Sequence, residues 1–325
     1  VGCSGLRSVT IPTDLVCYSI LNRFRDCAAL EHIEIAPGNE RYDSRDGCNA
    51  IIETETNKLI IGGSKTIIPG SVTSIDDYAL YGRTGLTSIT IPASVSDIGA
   101  YALAGCPNLE HLRVEPGNPK YDSRDGCNAI IETETNTLIA CCKNTKIPES
   151  VTKIHKYALS GSYLSHLTIH NGITDIEICK GPEYQIDTHS DLENISVNCG
   201  NPRYDSRGGC NAVIETETNS LILGCKNTII PDTVTSIQKS AFLGCDMTSI
   251  VIPKGVTFIH NDAFYDCEET LKTIICLSEK PPKCGKGINH SYYSFQYGLR
   301  GFYGPNFLIV VPKKSIDRYK KAYVW

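Results

Sequence analysis

Aliphatic residues recur along this chain in one spacing, in which an apolar position is followed three and five residues later by two more. The copies are Leu6/Val9/Ile11, Leu30/Ile33/Ile35, Leu86/Ile89/Ile91, Leu109/Leu112/Val114, Leu164/Leu167/Ile169 and Leu192/Ile195/Val197, with looser versions at Met247/Ile250/Ile252 and Leu271/Ile274/Cys276. The apolar-polar-apolar ending of each copy predicts a short β-strand that sends one face inward and the intervening side chains to solvent. A single strand of this kind cannot bury its face alone, so successive copies must stack as rungs.

The last aliphatic of each rung falls at 11, 35, 68, 91, 114, 147, 169, 197, 230, 252 and 276. The basic interval is about 23 residues, and every third is longer by roughly ten. Each long interval holds a nearly invariant segment: YDSRDGCNAIIETETN from Tyr42 and again from Tyr121, and YDSRGGCNAVIETETN from Tyr204. Within the second copy the apolar run Ala129 to Ile131, the polar tip at Glu134, Thr135 and Asn136, and the return Leu138 to Ala140 read as strand, turn, strand. The expectation is therefore a β-hairpin protruding from the stack near Glu55, Glu134 and Glu217. Pro12, Pro69, Pro92, Pro148, Pro231 and Pro253 directly follow the rung strands; lacking an N–H, proline ends the ladder there. After all of these but Pro12 comes Val-x-x-Ile and a small-large pair, as in Val72/Ile75/Ala79/Leu80, which predicts a second short strand and a tight helical or 3₁₀ turn. Helix content should be low.

The rung spacing is the leucine-rich-repeat signature. The predicted fold class is α/β, β-dominated: a right-handed leucine-rich-repeat solenoid of about eleven rungs spanning residues 1–277, with hairpin insertions near 42–63, 121–142 and 204–225. Residues 278–325 form the expected C-terminal cap. Its aromatics Tyr292, Tyr293, Phe295, Tyr297, Phe302, Tyr303 and Phe307 suit the burial that a last rung requires, although a binding patch is the alternative. With 41% apolar and 21% charged residues the chain has the composition of a folded protein. A net charge of −5 offers no footprint for nucleic acid. No apolar stretch is long enough for a transmembrane helix, and residues 1–20 do not read as a signal peptide. Because Val1 opens in mid-repeat, the expected form is a mature or trimmed one.

Repetition weighs against unique chemistry. Cys48, Cys127 and Cys210 occupy equivalent positions, as do Cys3, Cys27, Cys106, Cys245 and Cys267, so small buried hydrophobes in a ladder explain them better than nucleophiles do. Most of the sixteen cysteines are expected to be free thiols. The exceptions to watch are Cys127 with Cys142 and Cys210 with Cys225, which a regular hairpin would place opposite each other. No metal site is expected: the histidines lack ligand spacing, and His32 and His111 lie about 14 Å apart if rungs are spaced at ~4.8 Å. Asp43/Asp46 and Asp122/Asp125 suit turns better than a calcium loop, since the third copy has Gly208. No cofactor motif is present. An enzyme site is conceivable only in the irregular segment 179–191, where Cys179, Glu183, Asp187 and His189 fall close together.

Residues 86–106, LTSITIPASVSDIGAYALAGC, resemble the rung of BspA-like bacterial leucine-rich repeats, which reads roughly LTSITIPxSVTxIGxxAFxGC. The tail LIVVPKKSIDRYKKAYVW is similar to that family's closing strand and helix. The resemblance implies an exported or surface-attached protein that binds host matrix proteins, other bacterial surface proteins or glycans without catalysis; a structural spacer or stalk is the rival reading. The residues expected to face outward and form the binding row are Glu31, His32, Glu34, Glu110, His111, Arg113, His166, Glu193 and Asn194, with Arg7 beside them.

Overall fold

The computed structural model describes residues 3–14, 18–177, 191–267, 270–285 and 307–322. The chain divides into two compact units, residues 1–164 and 165–325. Both are built from the same repeat: a leucine-rich-repeat solenoid, mostly of strands, with helix confined to short pieces such as Tyr18–Leu21 and Ile316–Lys321.

In the first unit the strands Ser8–Ile11 and His32–Ile35 pair in parallel, with Val9 opposite Ile33 and Ile11 opposite Ile35. Ser88–Ile91 and His111–Val114 pair likewise, Ile89 against Leu112 and Ile91 against Val114. Placing like aliphatics in register stacks their side chains into one buried column; Ile33, Ile91 and Leu112 are fully enclosed. The prolines stop these strands as expected, for Ile11 and Ile91 are the last strand residues before Pro12 and Pro92. Across the core, the two-residue strands Ser74–Ile75 and Asp97–Ile98 form the second ladder, in parallel with Lys58–Gly62. In the second unit the corresponding sheets are His166–Ile169 with Asn194–Val197, and Ser249–Ile252 with Thr273–Cys276 and Leu308–Val310. Its closing helix buries Tyr319, whose hydroxyl donates to the Ser278 carbonyl at 2.9 Å. Phe307 of the predicted cap packs on this unit's core; the other six cap aromatics lie outside the described residues.

The three hairpins form, but they do not protrude. In the first, Ala50–Glu53 pairs antiparallel with Lys58–Gly62, and the latter continues the second ladder. Ala50, Ile51, Ile52, Leu59, Ile60 and Ile61 are all at most 2% exposed. Both faces are covered because the two sets of side chains enter different clusters: Ala50, Ile52 and Leu59 pack with Val72, Ile89 and Leu103, whereas Ile51, Ile60 and Ile61 pack with Leu30, Ile33 and Ile35. The hairpin is a septum between two parts of the core. Only its tip, around Glu55 and Thr56, reaches solvent. The unbroken apolar run Ala-Ile-Ile carried this information, since a half-exposed strand alternates and a strand buried on both faces does not.

The invariance of the preceding YDSRDG run has a specific cause. The Arg45 guanidinium grips the Asp43 carboxylate with two bonds, Nε to Oδ1 at 2.8 Å and Nη2 to Oδ2 at 2.6 Å, while its Nη1 donates to Asn57 Oδ1 at 2.7 Å and Ser71 Oγ at 3.3 Å. Arg124 repeats this with Asp122, Asn136 and Ser150, and Arg207 with Asp205, Asn219 and Thr233. One arginine thereby ties the start of the insertion to the hairpin tip and to the following rung. The next position takes positive φ, 57° at Asp46, 59° at Asp125 and 67° at Gly208. Backbone conformation, not a carboxylate, is the requirement there, so glycine substitutes freely.

Candidate functional site

Among the described residues, no group of acids, histidines and cysteines is arranged to hold a metal. Most of segment 179–191 lies outside the described residues. The fourteen described cysteines are free thiols. Burial pushes the Cys106 thiol up to about 11 and Cys276 up to about 12, and raises Cys141 and Cys245 as well. A thiol held protonated in this way is a poor nucleophile. Instead the thiols donate to backbone carbonyls, Cys106 to Leu80 at 3.2 Å and Cys267 to Phe242 at 2.9 Å. A groove in the first unit is lined by Tyr101, Cys141, His155, Tyr157 and Ser160; its one cysteine is fully buried and neutral.

The expected opposition of Cys127 and Cys142 does not occur. A β-bulge between Ile130 and Ile131 shifts the register by one, so Ala129 faces Cys141 and the Cys142 thiol donates to the Asn128 carbonyl at 3.2 Å. The same shift lies between Val213 and Ile214, where Ala212 faces Gly224 and Cys225 bonds to the carbonyls of Glu193 and Asn211. A regular hairpin would oppose these cysteines, but the extra residue of a bulge moves every later pair.

What the fold presents to solvent is the outer face of the rung strands. The residues expected there are there. His32, Glu34, Glu110, His111, Arg113, His166 and Asn194 are exposed, and Glu31 and Glu193 half-exposed, each next to a buried aliphatic. They differ in how far neighbours occupy them. Arg7 forms an ion pair with Glu31, Thr10 donates to Glu34 at 3.0 Å, and His32 Nδ1 meets Asn49 Oδ1 at 2.7 Å. In the second unit the His166 ring is bonded to Ser165 and Asn194 at 2.8 and 3.2 Å, and Glu193 pairs with Lys226 at 2.7 Å. The bonded Lys226 ammonium holds the Glu193 carboxyl below its ordinary value. By contrast, the Glu110, His111 and Arg113 side chains engage no partner among the described residues.

Sequence reasoning missed a second class of outward residue. Because aliphatics were assigned inward, the outer face was expected to be polar. Yet Ile229 is 75% exposed, and Val251, Leu308 and Val310 are 44%, 58% and 46% exposed. Val251 stands opposite Ile275 in register, and Ile275 opposite Val310. An aliphatic column thus runs along the outside of the second unit. The signal was the middle residue of Ile-Val-Ile at 250–252 and Ile-Ile-Cys at 274–276, where an apolar side chain sits at an outward parity. Ile67 in the first unit, 74% exposed, has the same parity as Ile229.

The family model for the BspA type leucine rich repeat region matches in six copies, over residues 63–179, 127–198 and 217–296. The chain belongs to the BspA-type leucine-rich-repeat family. Among solved structures it is similar to a leucine rich cell surface protein of Faecalibacterium prausnitzii, with 19% identity over 97% of this chain and 81% of that one at a TM-score of 0.42. It is similar to a leucine-rich repeat protein of Eubacterium ventriosum at 14% identity, covering 83% and 68% of the two chains at a TM-score of 0.39. The pneumococcal vaccine antigen PcpA is 15% identical, with 95% and 68% covered and a TM-score of 0.38. No curated protein matches the chain. Repeats of this family make interaction modules, and no helix among the described residues is long and apolar enough to cross a membrane.

Proposed function

We propose that the chain is a non-enzymatic, adhesion-type module, exported and displayed at a bacterial cell surface, that docks host matrix or bacterial surface proteins on the outer face of its rung sheets. The observation that carries this reading is the outward aliphatic column of Val251, Ile275 and Val310, with Leu308 and Ile229 exposed on the same unit. Ordinary solvated sheet faces alternate cleanly to polar side chains, and an aligned apolar set across consecutive rungs supplies the desolvated anchor that protein interfaces need. The polar outward residues Glu31, His32, Glu34, Glu110, His111, Arg113, His166, Glu193 and Asn194 then act as rim contacts, setting specificity and association rate more than affinity. A spacer role is the second reading, favoured by the lateral bonds Arg7–Glu31 and His166–Asn194, which satisfy rung faces without any partner.

The test is capture from host extracellular-matrix extract, comparing the unaltered chain with the variant Ile229→Ser/Val251→Thr. A defined protein captured by the former and lost from the latter, at equal thermal stability, supports docking on the column. Equal capture by both would remove the column from the interface, and capture of nothing by either would favour the spacer.

A further inference from the structure

The three hairpin insertions allow one copy to be read against the other two at equivalent outward positions. The two rungs around the second insertion carry His111, Arg113, Lys143 and Lys146, all exposed. Around the first insertion those places hold His32, Glu34, Ser64 and Ile67, and around the third Asn194, Ser196, Lys226 and Ile229. Three cations and a histidine therefore come together in one copy only, on a scaffold that is otherwise repeated. Their state differs too. His32 is bonded to Asn49 and Lys226 to Glu193, whereas none of the four side chains in the middle copy has a hydrogen bond or ion pair among the described residues, although Lys143 and Glu110 stand where Lys226 and Glu193 pair.

We infer that this face, formed by His111, Arg113, Lys143 and Lys146, is a binding site for a sulfated glycan chain. Charge complementarity selects an anion, since uncompensated exposed cations on adjacent rungs, about 4.8 Å apart per strand, match a polymer charged along its length. The flanking outward residues select a sugar over a protein. Thr87, Ser88, Thr90 and Asn144 are exposed hydroxyls and an amide, which bond well to hydroxyl and sulfate oxygens. The places where the other copies expose Ile67 and Ile229 hold Lys146 instead, so the patch lacks the apolar anchor on which protein partners depend. Glu110 is the one acid in the row; swinging towards Lys143 it would compete weakly and set a threshold of anion charge density. The inference rests on the reading of the outer face as a binding face, but names a different partner and a different part of it.

The experiment is binding to heparin, with fully desulfated heparin and poly-glutamate as comparison ligands, over a series of salt concentrations. The variant is Arg113→Ser/Lys146→Ile, whose new residues are those the third copy already carries, so that the fold is kept. Heparin is expected to bind with an affinity that falls steeply with salt. The variant should lose at least about tenfold in affinity, and its slope of log affinity against log salt should drop by roughly 2. Equal binding of desulfated heparin, or undiminished binding by the double variant, would overturn the inference. Tighter binding of poly-glutamate than of heparin would also overturn it, making an acidic protein segment the occupant. Protein capture through Ile229 and Val251 is read separately, so either proposal can fail while the other stands.

Discussion

The hairpin insertions and the outer faces of the rung strands lie side by side in the repeat yet obey opposite rules. The insertion recurs almost letter for letter because nearly every residue has a fixed mechanical duty: Arg45 joins Asp43, Asn57 and Ser71, and Ile51 and Ile52 face different parts of the core. Outward positions change from rung to rung, from Glu34 to Arg113 to Ser196 to Val251, while the backbone beneath them stays in register. Invariance in this molecule therefore marks structural duty, and variation marks the surface that is free to acquire a partner. A search for function that begins from the most repeated motif would begin in the wrong place.

The sharpest challenge to this contrast is to empty the septum. Ile51→Ala removes a fully buried side chain from a hairpin enclosed on both faces, and should cost about 2–5 kcal/mol in urea denaturation; a loss below about 1 kcal/mol would mean that the hairpin is peripheral after all. Next comes the clasp. Arg124→Ala leaves the partly buried Asp122 and Asn136, and the exposed Ser150, without their shared donor, and should cost about 1.5–3 kcal/mol, with Arg124→Lys restoring only part because an ammonium cannot grip bidentately.

Alkaline pH probes the cysteine ladder, which shares the insertion's structural character. The Cys106 thiol is raised to about 11 in the folded chain, so its contribution is fully present below the unfolded value near 9 and is lost as pH rises from there through 11. By pH 10 the loss should be about 1 kcal/mol for such a thiol. It would be read as a fall in urea midpoint that Cys106→Ala makes smaller by that amount, the other buried thiols keeping their share. Native-state thiol labelling should meanwhile modify exposed Cys3 and Cys199 long before buried Cys106 and Cys245. The smallest effect is expected outside: Glu110, His111 and Arg113 replaced together by alanine should change stability by less than about 0.5 kcal/mol. A larger change would show that the variable face also has a structural duty.

Most of the fold was legible from spacing alone, because inward aliphatics at fixed intervals specify strand, register and stacking together. Pro12 and Pro92 marked strand ends, and parity placed His32, His111 and His166 outside. What escaped were features that depend on a second body. The septum could not be seen while Ala50 to Ile52 had only one core assigned to them. The bulge beside Ile130 is invisible until the return strand is paired, and it decides whether Cys127 meets Cys142. The clasp hid inside a motif whose aspartates looked alike, although Asp43 is an arginine's partner and Asp46 merely occupies a left-handed turn. The exposed column of Val251 and Val310 was missed for the opposite reason: hydrophobicity was trusted over parity.

One consequence of the septum concerns failure rather than stability. A repeat stack is nearly one-dimensional, so damage at one rung would ordinarily travel to the next through the shared apolar column. The hairpin at 50–62 interrupts that column, separating the cluster of Leu30, Ile33 and Ile35 from that of Val72, Ile89 and Leu103. It works as a firebreak. Rungs on one side can fray under heat or proteolysis while those beyond keep their packing, so a repeat stack built this way can lose an end without losing the order of the rest.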